Sequence, residues 1–330
     1  MGTLDFEKER RMNEKKKFKI NLHILVLIPI VLIVAFVIIR LNIWNKQTTS
    51  VDLSDISEGD YDMECNDCYF YPDPDAGPYE NHVDNGVNDI LLIGDHILNN
   101  YGEDHSILNI LKENLDANII DLTCEKVKLT ATYGNPDVGT NSFSLYSVVS
   151  ALVNKNFKNM YLTDYVEGFA TEERYDAYMN TIENIDLNEV DTVIIMYSMH
   201  DYLEVIPEML ADSENVYGYH GALYTSIKTL QENYPHLQII LSSPTPIYVD
   251  NGDGEIKLGS NTDYGAGCET IYTVHQYAVA NELYVSYIDN YYYKINESNI
   301  TEYVDGVYLG DAGIDLTAEH MLEFLNTLMK

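Results

Sequence analysis

From residue 89 to the C-terminus, short apolar runs alternate with longer stretches in which apolar positions recur every three to four residues. Runs rich in Val, Ile and Leu between turn residues have the pattern of buried strands, and the longer amphipathic stretches that of helices. The strands are expected at 89–94 (DILLIG), 117–122 (ANIIDL), 192–197 (TVIIMY), 238–243 (QIILSS) and 283–289 (LYVSYID). Helices are expected at 97–115, 143–154, 172–183, 217–234, 269–281 and 312–328. Strands that return through helices give a parallel sheet covered on both faces, so the spacing predicts one three-layer α/β/α domain over residues 89–330. No repeat of 20–50 residues interrupts it.

The N-terminal quarter has a different pattern. Residues Leu22 to Ile39 read LHILVLIPIVLIVAFVII, without a fixed charge, closed by Arg40 and followed by Trp44. That length predicts one transmembrane helix within residues 21–44. No small-x-small cleavage pattern precedes Arg40, so an uncleaved anchor is expected rather than a signal peptide. The cluster Lys15, Lys16, Lys17 and Lys19 outweighs Arg40 and Lys46 on the far side. A cytoplasmic tail (1–20) and an extracellular C-terminal domain at the cell membrane follow from that bias. Residues 45–88 then form an acidic linker or stalk, with eleven Asp or Glu and no Lys or Arg over 51–88.

Composition narrows the partners. The formal charge is −34, from 53 acidic against 19 basic side chains, and seven of the basic ones lie in the tail. Nucleic-acid affinity rests on neutralised phosphates, so no nucleic-acid partner is expected. Neutral cell-surface carbohydrate or a basic protein suits such a surface better. Cys65 and Cys68 form a CxxC, with Cys124 and Cys268 separate. Three pairings are open to them, and the second pair of a zinc ribbon is missing, so a local disulfide or inert thiols are expected. The five histidines 105, 220, 236, 275 and 320 fall in or beside helices and read as ordinary surface or half-buried side chains. Tyr291, Tyr292 and Tyr293 read as a strand end with alternate rings buried.

Ligands of open parallel sheets bind beyond the carboxyl ends of the strands. There the sequence places Gly94-Asp95-His96, then Ser198-Met199-His200-Asp201, then Asp305-Gly306-Val307-Tyr308 before the last helix. In this order the three segments resemble the SGNH, or GDSL, hydrolases, over about residues 88–330. The resemblance extends to membrane-tethered bacterial members through YGYHGALYTSIKTLQENYP, IILSSPTPIY and VDGVYLGDAG. It implies a flavodoxin-like sheet and an ester hydrolase. It also implies a Ser after Gly-Asp where this chain has His96, an Asn before Asp201 where it has His200, and a His where it has Tyr308. A glycine donating an oxyanion-hole amide is implied after the second strand, and residues 121–129 contain none.

Acyl transfer of that kind needs a nucleophile with an adjacent base and donors aimed at the oxyanion. Three readings fit the substitutions. In the first, Asp95 and Asp305 hold the loops while His96, His200 and Tyr308 fill a cleft that binds glycan without reaction. In the second, His96 or His200 serves as base or nucleophile for an ester or acetyl hydrolase, with Ser198, Ser242 or Ser243 as a displaced hydroxyl. In the third, His96, His200 and Asp305 ligate zinc or iron; otherwise no cofactor is expected.

Overall fold

The computed structural model describes residues 65–71, 81–132, 139–162, 168–250 and 256–329. The tail 1–20 and the apolar segment 21–44 lie outside them. Among the described residues no helix is long and apolar enough to cross a membrane.

Five parallel strands form the central sheet: β1 (Asp89–Gly94), β2 (Asn118–Thr123), β3 (Thr192–Met196), β4 (Gln238–Ser242) and β7 (Ser286–Ile288). Their order is β2-β1-β3-β4-β7, the doubly wound arrangement in which the chain reverses direction of travel between β1 and β3. Alternate residues of the apolar strands face opposite layers. Ile90, Leu92, Ile194 and Ile240 pack under α2 (Ile107–Asn114) and α9 (Asp311–Leu328), against Leu111, Met321 and Phe324. Leu91, Ile93, Val193 and Ile195 pack under α3 (Leu145–Asn154), α4 (Glu172–Asn184), α6 (Tyr219–Asn233) and α7 (Glu269–Glu282). Ile90 to Ile93 are all fully buried, each contributing roughly 1.5–3 kcal/mol of hydrophobic stabilisation. The three layers and all five strands expected from the apolar pattern are present.

Three features depart from the expectation. The helix expected over 97–115 is broken into α1 (His96–Asn99), a 3₁₀ turn and α2. Asn100, Tyr101 and Gly102 take left-handed backbone there, with φ of 46°, 57° and 85°. Ser106 then caps α2 by accepting from Asn109 N at 3.3 Å. The second departure is a pair of two-stranded hairpins absent from the reading, β5 (Tyr248–Asp250) with β6 (Ile256–Leu258) and β8 (Val304–Asp305) with β9 (Tyr308–Leu309), along with short helices α5 (His200–Leu203) and α8 (Ile300–Tyr303).

The third concerns the stretch expected as a solvated stalk. Residues 65–71 lie along β7, where Cys68 and Tyr287 exchange backbone hydrogen bonds of 2.9 Å each way and Phe70 O accepts from Gln238 Nε2 at 2.7 Å. Farther along, Val83 N donates to Asn188 O, and His82 pairs with Asp191 at 3.0 Å. The exposed edge of β7 has backbone groups in want of partners, and this otherwise acidic segment supplies them.

Candidate functional site

Close approach of β1 and β3 sets the site. A Cβ on Gly94 would lie 2.0 Å from Met196 O, so only glycine fits the end of β1. Asp95 follows, fully buried, and acts as a hub. Its carboxylate accepts from Ile97 N at 3.1 Å, capping α1, from Ser198 N at 3.0 and 3.1 Å, and from the Ser198 hydroxyl in a short hydrogen bond. The loops after β1 and β3 are therefore locked together through one carboxylate.

His96 sits above this hub and is 5% exposed. Its ring lies 4.8 Å from that of His200, 4.9 Å from Tyr101 in a stack and 5.3 Å from Tyr308 edge-on. Its Nδ1 is buried without a hydrogen-bond partner among the described residues, 3.7 Å from Asp95 Oδ2. Burial, reinforced by His200, holds the His96 imidazole below its ordinary pKa although Asp95 pulls the other way. Tyr101 hydrogen-bonds Tyr308, and burial followed by that bond pushes its phenol well above the ordinary range. The cleft that His96, Ser198, Thr245, Ile247 and Tyr308 line holds about 10 Å³, room for about one water molecule.

The three segments singled out in the sequence thus converge, with one exception. Ligand atoms of Asp95, His96 and His200 lie within 4.8 Å of one another, and Asp305 does not belong to that group. Asp305 is exposed on the β8–β9 hairpin, paired in register with Tyr308, so it carries the turn that brings Tyr308 to His96. Asp201 is buried and accepts from Leu129 N at 2.8 Å, Thr130 N at 3.1 Å and the Thr130 hydroxyl. Burial raises its pKa against the pull of those donors. It is a clamp for the loop after β2.

The hydroxyls expected as displaced nucleophiles are used elsewhere. Ser242 Oγ accepts from Asn290 Nδ2 at 2.8 Å, Ser243 Oγ accepts from Tyr291 N at 2.9 Å, and both are fully buried. Neither lines the cleft. Ser198 does, but its hydroxyl faces Asp95. Among the described residues no hydroxyl or thiol is hydrogen-bonded to His96 or His200. Where the loop after β2 would carry an oxyanion donor there is instead a buried Glu125, bound to Arg174 Nε at 2.6 Å and to Ala170 N at 3.3 Å.

Tyr101 was missed in the sequence because a continuous helix would have turned it away from His96; the Asn-Tyr-Gly triplet, a left-handed turn signal, could have revealed it. All four cysteines are free. Burial first, then Asp67 and Asp289, pushes the Cys65 thiol up to about 12. His320, expected near the surface, is 3% exposed and makes hydrogen bonds through both ring nitrogens.

No family model matches the sequence, and no curated protein matches it. Solved structures do. One superposes with a TM-score of 0.53 at 14% identity, covering 73% of this chain and 97% of its own. A protein from Lactobacillus plantarum superposes with a TM-score of 0.51 at 17% identity, covering 74% of this chain and 99% of its own. A possible lipase from Chitinophaga pinensis follows at a TM-score of 0.46 and 13% identity, with 73% and 98% covered. At such identities the likeness is one of fold, the α/β/α architecture with a central parallel sheet of five strands.

Proposed function

We propose that this chain is an SGNH/GDSL-hydrolase-like protein without Ser–His esterase chemistry, held at the cell membrane by residues 21–44, that binds neutral cell-surface glycan. One observation carries the reading: His96 lines the cleft with the His200 ring 4.8 Å away, and among the described residues no hydroxyl or thiol is hydrogen-bonded to either imidazole. Without a nucleophile whose proton a base can take, acyl transfer loses several orders of magnitude.

Space for a ligand exists on the other face of the sheet. A hollow of about 520 Å³ beside α3 is lined by Ser142, Tyr146, Ser147, Ser150, Asn154 and Tyr217, and among the described residues no charged side chain lines it. In so acidic a chain an uncharged hollow of amides, hydroxyls and phenols suits a sugar, whose hydroxyls hydrogen-bond and whose ring faces stack on aromatics. Titration of the full chain with neutral oligosaccharides of the cell surface, in parallel with acetate-ester turnover, tests this. Binding weakened at least tenfold by Tyr146→Ala and no turnover are expected. Turnover abolished by His200→Ala would overturn the reading in favour of a hydrolase.

A second reading has its own observation, the mutual approach of Asp95, His96 and His200 within 4.8 Å. Two imidazoles and a carboxylate suit zinc or iron. The Asp95 oxygens, however, already accept from two amides and a hydroxyl, so a metal there would have to displace the bonds that hold the loops.

A further inference from the structure

Away from the cleft, the start of the described chain meets the last helix. Asp67 Oδ2 lies 2.9 Å from His320 Nε2, Cys65 Sγ lies 3.8 Å from the same nitrogen, and Cys65 Sγ lies 3.5 Å from Asp67 Oδ1. We propose that Cys65, Asp67 and His320 form a binding site for a divalent transition metal of the zinc class.

The donor set is the first reason. Thiolate, imidazole and carboxylate are the three ligand types zinc takes, and donors on one tetrahedral ion with bonds of about 2.0–2.3 Å stand about 3.3–3.8 Å apart. The three groups here come within 4.8 Å of one another, so modest side-chain rotation seats an ion between them. The second reason is the orientation of the histidine. Asn290 Nδ2 donates to Ser242 Oγ at 2.8 Å and Ser243 O at 3.2 Å, which leaves its Oδ1 to accept from His320 Nδ1 at 2.8 Å. Nδ1 therefore carries its proton and Nε2 is the atom offered to Cys65 and Asp67, the arrangement by which outer partners orient a metal-bound histidine. Tyr293 stacks on the ring at 3.7 Å and holds its plane. Third, Asp67 is itself fixed, its Oδ1 accepting from Asp289 N at 2.9 Å.

Cys65 and Asp67 are half-buried while His320 is buried, so the fourth position opens outward, to water. Binding releases the Cys65 thiol proton and replaces the contact between His320 Nε2 and Asp67. The metal would tie residues 65–71 to α9 and to the chain leaving β7. The ligands are Cys65 and Asp67, both within the CNDC segment, and His320, 253 residues beyond Asp67, which is why spacing alone gave no zinc signal.

The full chain in detergent, stripped with a chelator, dialysed against Zn²⁺ and assayed for bound metal, tests the site. About one ion per chain is expected, falling at least tenfold in Cys65→Ser and His320→Gln and unchanged in Cys68→Ser and His200→Gln. Asn290→Ala, which frees the ring without removing a ligand, is expected to weaken affinity about 10–100-fold. Because His320→Gln alters a buried position, Co²⁺ provides a second readout: a thiolate-to-cobalt absorption band in the parent that Cys65→Ser loses with its circular dichroism unchanged. No metal in the parent, retention in Cys65→Ser, or loss in His200→Gln would overturn the assignment.

Discussion

Two histidine–carboxylate groups of this chain differ in what their donor atoms are free to do. At the carboxyl ends of β1 and β3, where open α/β sheets bind ligands, His96 is enclosed by three rings, its Nδ1 has no partner among the described residues, and Asp95 spends its oxygens on backbone and Ser198. On α9, His320 is oriented by Asn290 and directed at a thiol and a second carboxylate. The difference shows that position in a fold does not make a site; free donor atoms held in a fixed direction do.

That contrast can be broken in several ways. The largest expected effect comes from restoring the cleft. The triple variant His96→Ser, His200→Asn, Tyr308→His is expected to gain acetate-ester turnover that His96→Ser alone does not show. Without an amide donor after β2, where Glu125 and Arg174 sit, its rate should still fall about 10²–10³-fold short of a complete site. Turnover in the single variant would mean that a base is already in place.

Stability separates the carboxylates next. Asp95→Ala leaves buried donors of the loops after β1 and β3 unpaired and is expected to cost about 3 kcal/mol, read from the denaturant midpoint. A loss below about 1 kcal/mol would show that Asp95 is not the hub.

A smaller effect depends on pH. The His96 pKa lies below its ordinary value, so as pH falls through the ordinary imidazole range the unfolded chain takes up the proton first and the folded state loses stability. His220, His236 and His275, also lowered chiefly by burial, contribute the same sign. His96→Gln is therefore expected to give a shallower loss of stability than the parent between about pH 7.5 and 5, by chemical denaturation at each pH. An identical slope would place His96 in contact with solvent. Smallest of all, Asp305→Ala is expected to change stability by less than about 0.5 kcal/mol, because that carboxylate is exposed.

Much of the fold was legible because each strand is a buried apolar run and each long helix has its own amphipathic face; the boundaries of α4, α6, α7 and α9 fall within two residues of those read from periodicity. Breaks that depend on backbone sign were not legible. The left-handed run at Asn100 to Gly102 ends a helix that side-chain polarity would have continued, and it alone brings Tyr101 to His96. The cleft was legible as a set of segments, since strand ends name the residues that converge. Roles within it were not: whether Ser198 attacks or merely bonds Asp95, and whether Asp305 enters the site or turns a hairpin, depends on hydrogen bonds that spacing does not encode. His320 escaped notice because its partners are 253 and 30 residues away.

Covalent capture tests the central claim most directly. A fluorophosphonate forms a stable adduct only with a hydroxyl made nucleophilic by a neighbouring base. Incubated with the full chain at neutral pH, it is expected to leave the mass unchanged. One adduct per chain, mapped to Ser198 or Thr245 and lost in His200→Ala, would contradict the account.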